Sequence, residues 1–157
     1  MIDALGARLD GWLSGAPALI GQHYPWLSAA HILALGALIG FVLVLDLRLL
    51  GLFRSLALAP LVQVLSRLAG FALIAAVLSG LVLFSVQPSH YLGNSAFLLK
   101  LGLMVLVMIN IAVVHLSAPW QRVKAGRPAS AVLRLLAASS LLLWVAVVLA
   151  GRWVAFV

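Results

Sequence analysis

The chain has 157 residues, of which 66% are apolar and 8% charged, and its mean hydropathy is +1.25. An ordinary soluble domain carries about 25% charged and about 45–50% apolar residues, so the composition excludes a soluble enzyme, a disordered tail and a nucleic-acid-binding domain. The net charge of +7 rests on ten Lys and Arg that stand mostly at the ends of apolar runs, which marks membrane topology, and with no Cys there is no disulfide, thiolate metal site or iron–sulfur cluster.

Residues 1–24 form an N-terminal segment of their own. Asp3 and Asp10 interrupt it, so it lacks the apolar core of a signal peptide. Ile2, Leu5, Leu9, Trp12 and Leu13 fall within roughly a 100° arc, which predicts an amphipathic helix lying on the outer membrane surface. Residues 25–157 then hold four apolar runs, each close to the about 20 residues that a bilayer requires. They cover about 26–45, 61–86, 96–118 and 131–150. Pro60 fits a first helical turn, Gln87-Pro88-Ser89 ends the second run, and Asn94 or Ser95 can cap the third. Pro119 follows the third run, and Pro128 and Ser130 precede the fourth. The expected architecture is all-α, an integral membrane four-helix bundle with an N-terminal interfacial helix.

Arg48, Arg54 and Arg67 border the first connection, and Arg122, Lys124, Arg127 and Arg134 border the third. The positive-inside rule then puts both basic connections in the cytoplasm and both termini outside. A multi-pass protein of the bacterial inner membrane, with periplasmic termini, is expected. Small residues at Gly36 and Gly40, and at Ala69, Ala72, Ala76, Ser79 and Gly80, offer packing seams or a dimer face.

Polar groups inside spans are costly and mark function by default. His31 lies about 7–8 Å inside the first span at about 1.5 Å per residue. It stands about 140–180° round the helix from Gly36 and Gly40, towards a wider gap or the lipid edge. His23 and His90 stand at the same outer face, and neutral imidazole binds haem iron, copper and zinc. Lys100 either snorkels or holds an anionic group near His31 and His90. Lys100, Met104, Met108, Ile111 and His115 share one helical face, and thioethers suit Cu(I). Asn110, Ser139 and Ser140 suit hydrogen bonds between helices, and His115 stands alone at its depth. Asp46 beside Arg48 suggests an ion pair anchoring the inner interface. Paired carboxylates, an H-x-x-x-H helix pair, a nucleophile triad and a phosphate loop are all missing, so hydrolysis finds no support.

Two segments carry a resemblance. One is Ala30-His31-Ile32-Leu33-Ala34-Leu35-Gly36 through Asp46-Leu47-Arg48-Leu49-Leu50-Gly51. The other is Ser79-Gly80-Leu81-Val82-Leu83-Phe84 with Tyr91, Asn94, Phe97 and Lys100. Together they resemble an uncharacterised family of small four-helix bacterial membrane proteins, distantly similar to the CopD-like copper-resistance membrane domain. They also look similar to HemJ-type protoporphyrinogen oxidases, which surround a b-type haem with a first-span histidine and later basic residues. The resemblance implies that His31 corresponds to the first-span histidine and Lys100 to the third-span lysine. Where the HemJ-type signature follows the first span, this chain has Asp46-Leu47-Arg48-Leu49-Leu50-Gly51.

Three readings follow. The first is a haem b protein that passes electrons at the outer face, with His31 and His90 as axial ligands, Lys100 on a propionate, and quinone or a redox protein as partner. The second is copper handling by His23, His31 and His90, with Met104 and Met108 deeper. The third is a cofactor-free subunit of a larger membrane complex or homo-oligomer.

Overall fold

The computed structural model describes residues 2–156. The fold is all-α. Helices α1 (Ile2–Trp12) and α2 (Ala16–Ile20) lead through a 3-10 turn (Gly21–His23) into α3 (Tyr24–Leu50). Then come α4 (Leu58–Phe84), short α5 (Pro88–Leu92), α6 (Ser95–Leu116), short α7 (Ala118–Lys124) and α8 (Ala131–Trp153). Helices α3, α4, α6 and α8 are long and apolar enough to cross a membrane. The chain is thus a multi-pass membrane protein whose exposed flanks, such as Leu33, Phe71, Leu99 and Leu142, suit lipid.

Local chemistry sets the helix ends. Proline at the first or second position starts α3, α5 and α7, where its missing N–H costs nothing. Asn94 Oδ1 accepts from the Phe97 amide at 3.0 Å, Ser117 caps α7 and Ser130 caps α8. Gly51 closes α3 at φ 108°, a left-handed conformation that glycine adopts without steric cost. The turn beyond is tied by arginines: Arg48 donates twice to the Leu56 carbonyl, at 3.0 and 2.9 Å, and Arg54 donates to the Gly51 carbonyl.

Helix α3 packs along α4 and α8, and α6 packs on α8, while the backbones of α4 and α6 stay apart and meet through side chains such as Phe84 and Phe97. The result is a four-helix bundle with a gap between α4 and α6. One core cluster, around Leu38, Ala72, Val107, Trp144 and Val147, fills the middle. A second, around Leu45, Leu49, Val62, Trp120, Val123, Leu133 and Ala137, seals the end that carries the basic connections. We call these the basic end and, opposite it, the terminal end.

At the terminal end α1 lies against α5, with Gly6 tight on Ser89 and Asp10 accepting from the Ser89 amide at 3.2 Å. The expected N-terminal helix is present but breaks at Leu13–Gly15. Its protein-facing edge is Gly6 and Asp10, while Leu5 and Trp12 of the apolar arc stay exposed. Of the two roles expected for Gly36 and Gly40, packing inside the bundle is not found, which leaves the dimer face. Both glycines are exposed, and a Cβ built at either would meet nothing within 4 Å. The seam on α4 is real, with Ala72 and Ala76 buried.

Asn94 is buried and also donates from Nδ2 to the Val154 carbonyl at 3.0 Å, joining the start of α6 to the end of α8. Asn94→Ala therefore loses a cap and an interhelical link. The cap alone is worth about 0.5–2 kcal/mol, so the thermal midpoint in detergent is expected to fall accordingly.

Candidate functional site

The site is built where α3 meets α4 near the terminal end. The small pair Ser79-Gly80 lets the His31 imidazole lie against the α4 backbone. A Cβ at Gly80 would stand 3.1 Å from His31 Cε1, so glycine is what makes room. Ser79 Oγ is 2.6 Å from the Ala75 carbonyl and 3.2 Å from that of Ala76. A carbonyl can only accept, so the single hydroxyl proton points there. His31 Nδ1, 2.9 Å from Ser79 Oγ, must then be the donor. A neutral His31 thus holds its proton on Nδ1 and its lone pair on Nε2. This is the arrangement by which an outer-shell partner fixes the tautomer and aim of a ligating histidine.

Lys100 comes to the same depth from α6. Its stem lies over Gly151 of α8, where a Cβ would stand 3.5 Å from both Cε and Nζ. Histidine and lysine are thereby brought to one level; His31 needs the glycine beside it, whereas a Cβ at Gly151 would meet Lys100 at ordinary contact distance.

The other expected ligands are placed differently. His90 sits exposed on α5 with its ring edge-on to Tyr91 at 5.7 Å. His23 lies on the surface turn beside Gln22, at 3.2 Å. Met104 packs against the central core cluster, and Met108, one turn on, is 48% exposed. Among the described residues no group of three or more His, Asp or Glu stands together as a metal site.

An aromatic lid covers the terminal end of the gap. Phe84 stacks on Phe97 at 5.7 Å and 3°, and Tyr91 lies 5.2 Å from Phe97. Burial, and a hydrogen bond with Tyr24, push the Tyr91 phenol up to about 12. It stays a neutral hydroxyl and ties α5 to the start of α3.

At the basic end the expected Asp46–Arg48 pair is not made. Asp46 is buried beside Ser140, while Arg48 serves the Leu56 carbonyl. Residues two apart on a helix do not face each other, and that spacing was the available signal. Asn110 donates to Ser139 Oγ at 2.8 Å and to the Leu136 carbonyl at 3.3 Å, so the expected α6–α8 hydrogen bond is present. His115 donates from Nδ1 to the Ile111 carbonyl at 2.9 Å and its ring lies 4.8 Å from that of Trp120.

Comparison with known proteins adds one relationship. No curated protein and no solved structure matches the chain. The profile of a family of unknown function (DUF6644) matches residues 15–157, which spans all four long helices and both sides of the His31 site, and the chain belongs to that family.

Proposed function

We propose that the terminal half of the bundle binds a b-type haem through His31 Nε2 and passes electrons at that face of the membrane. The observation that carries the reading is the Ser79–His31 hydrogen bond, which leaves the Nε2 lone pair available. The donor set fits such a group from one side. A neutral imidazole is held in one tautomer, a bare glycine backbone lies beside it, and a lysine ammonium stands at the same level for a carboxylate. His90, turned to Tyr91 at the surface, is left out of this ligand set.

A bound haem would supply one-electron chemistry. The chain's own residues do the rest. Ser79 orients His31, Lys100 balances negative charge, and the Phe84–Phe97 stack limits access of water from the terminal end. Quinone or a redox protein would be the partner, and the terminal end would face the periplasm of a bacterial inner membrane. The distribution of Lys and Arg supports that orientation.

The test is an ultraviolet–visible spectrum of the purified protein produced with full haem supply, oxidised and then dithionite-reduced. The wild type is expected to show a Soret band with sharp reduced α and β bands, and His31→Ala to lose them. A featureless wild-type spectrum would falsify the reading and leave a cofactor-free subunit of a larger complex.

A further inference from the structure

A second polar site lies fifteen residues further along α3, about 22 Å from His31 at about 1.5 Å per residue. Here the gap between α4 and α6 widens into a chamber of about 120 Å³. That is room for several waters, since one needs only about 10–15 Å³ by the same measure. Asp46 of α3, Ser66 of α4, Asn110 and His115 of α6 and Ser140 of α8 supply its polar wall. Asp46 is 5% exposed, and its Oδ2 has no hydrogen-bond partner among the described residues. A buried, unpaired carboxylate oxygen is expensive unless something compensates it.

The wall decides what that is. Ser140 stands beside the Asp46 carboxylate on the same wall. Asn110 spends its amide protons on Ser139 and Leu136, which leaves Oδ1. His115 spends its Nδ1 proton on the Ile111 carbonyl, which leaves the Nε2 lone pair. Ser66 points its hydroxyl at the Gln63 carbonyl, 3.4 Å away, which leaves its oxygen lone pairs. Leaving Ser140 and the indoles of Trp120 and Trp144 aside, the polar side chains Ser66, Asn110 and His115 have used these protons on carbonyls or Ser139 and keep lone pairs free. No Lys or Arg lines it among the described residues. Such a wall rejects anions and suits a small hard cation on oxygen ligands.

We propose that this chamber binds a monovalent cation of sodium size, with the Asp46 carboxylate as its charged ligand. The site is separate from the His31 site and does not depend on any cofactor there. Its remaining ligands are the neutral oxygens of Asn110 and Ser66, together with water.

The test uses the whole chain in nanodiscs, with sodium chloride replacing choline chloride at constant ionic strength. Two readouts are taken: the thermal midpoint by tryptophan fluorescence, which Trp120 and Trp144 on the chamber wall report, and retention of radioactive sodium. The wild-type midpoint is expected to rise with sodium and saturate, with retained sodium displaced by unlabelled salt. Asp46→Asn should lose the saturable rise and at least tenfold of the retention. If Asp46→Asn does not fold, Ser66→Ala, which removes one neutral oxygen, should weaken sodium several-fold. Equal responses to sodium and choline would overturn the proposal. So would a sodium response that survives unchanged in Asp46→Asn or in Ser66→Ala, or stabilisation that follows acid alone, which would mean that a proton on Asp46 compensates the carboxylate instead.

Discussion

Trp120→Ala is expected to lower the stability of the folded protein by about 3–5 kcal/mol, the range seen when a buried aromatic is truncated to alanine. Trp120 is 2% exposed and sits on α7, outside the four long helices. Its neighbours in the core cluster include Leu45 of α3, Val62 of α4 and Leu133 of α8, so it belongs to the packing of these three long helices and, through His115, of α6 as well. It also contacts the His115 ring and lines the polar chamber. Removing it merges a new apolar void with that chamber, and partial collapse cannot restore the contacts to three separate helices. Chemical unfolding in mixed micelles measures the loss. Trp120→Phe should recover most of it, whereas a loss below about 1 kcal/mol for Trp120→Ala would mean that α7 is not part of the core.

Gly80→Leu is expected to have the largest effect on the His31 site. Even a methyl group there would stand 3.1 Å from His31 Cε1, so Gly80→Ala forces a shift of a few tenths of an ångström. Leucine leaves no such adjustment and drives the imidazole off Ser79. Overpacking of this kind costs about 1–3 kcal/mol. In the haem-bound protein proposed above, the Soret band should disappear as in His31→Ala, while Gly80→Ala should keep it with a shifted reduction potential. A Gly80→Leu protein with the wild-type spectrum would show that His31 is not held against α4.

Much of this architecture could be read from the residue pattern, because in lipid the apolar runs and their breakers set where helices exist. The runs at about 26–45, 61–86, 96–118 and 131–150 match α3, α4, α6 and α8 to within a few residues, and Asn94 and Ser130 cap as their chemistry requires. The shifts have local causes. Helix α3 runs on to Leu50 because Gly51, not the Asp46–Arg48 step, is its stop signal. Short α5 and α7 were hidden inside breakers and basic loops, although each begins with a proline suited to a first turn.

The His31–Lys100 level was legible from depth alone. The roles of Ser79, Gly80 and Gly151 were not, because they depend on which faces of α3 and α6 turn inward, and nearly uniform apolar helices carry weak face information. The same weakness explains Gly36 and Gly40, whose spacing suits a seam that this bundle makes elsewhere. Asp46 was the largest omission. A carboxylate next to an arginine suggested an interface anchor, whereas its helical phase turns it towards α8 and Ser140.

The arginines of the first turn carry one more consequence. Arg48 and Arg54 are engaged by main-chain carbonyls, which orient a guanidinium without neutralising it. Of the described carboxylates, Asp10 holds α5 and Asp46 lines the chamber. Among the described residues the basic end therefore meets the bilayer with its charge uncompensated by the protein. In anionic phospholipid each such residue near the surface gains about 1 kcal/mol, and the gain fades with ionic strength. A zwitterionic bilayer would supply none of it, so phosphatidylglycerol content becomes a determinant of how firmly this end is seated.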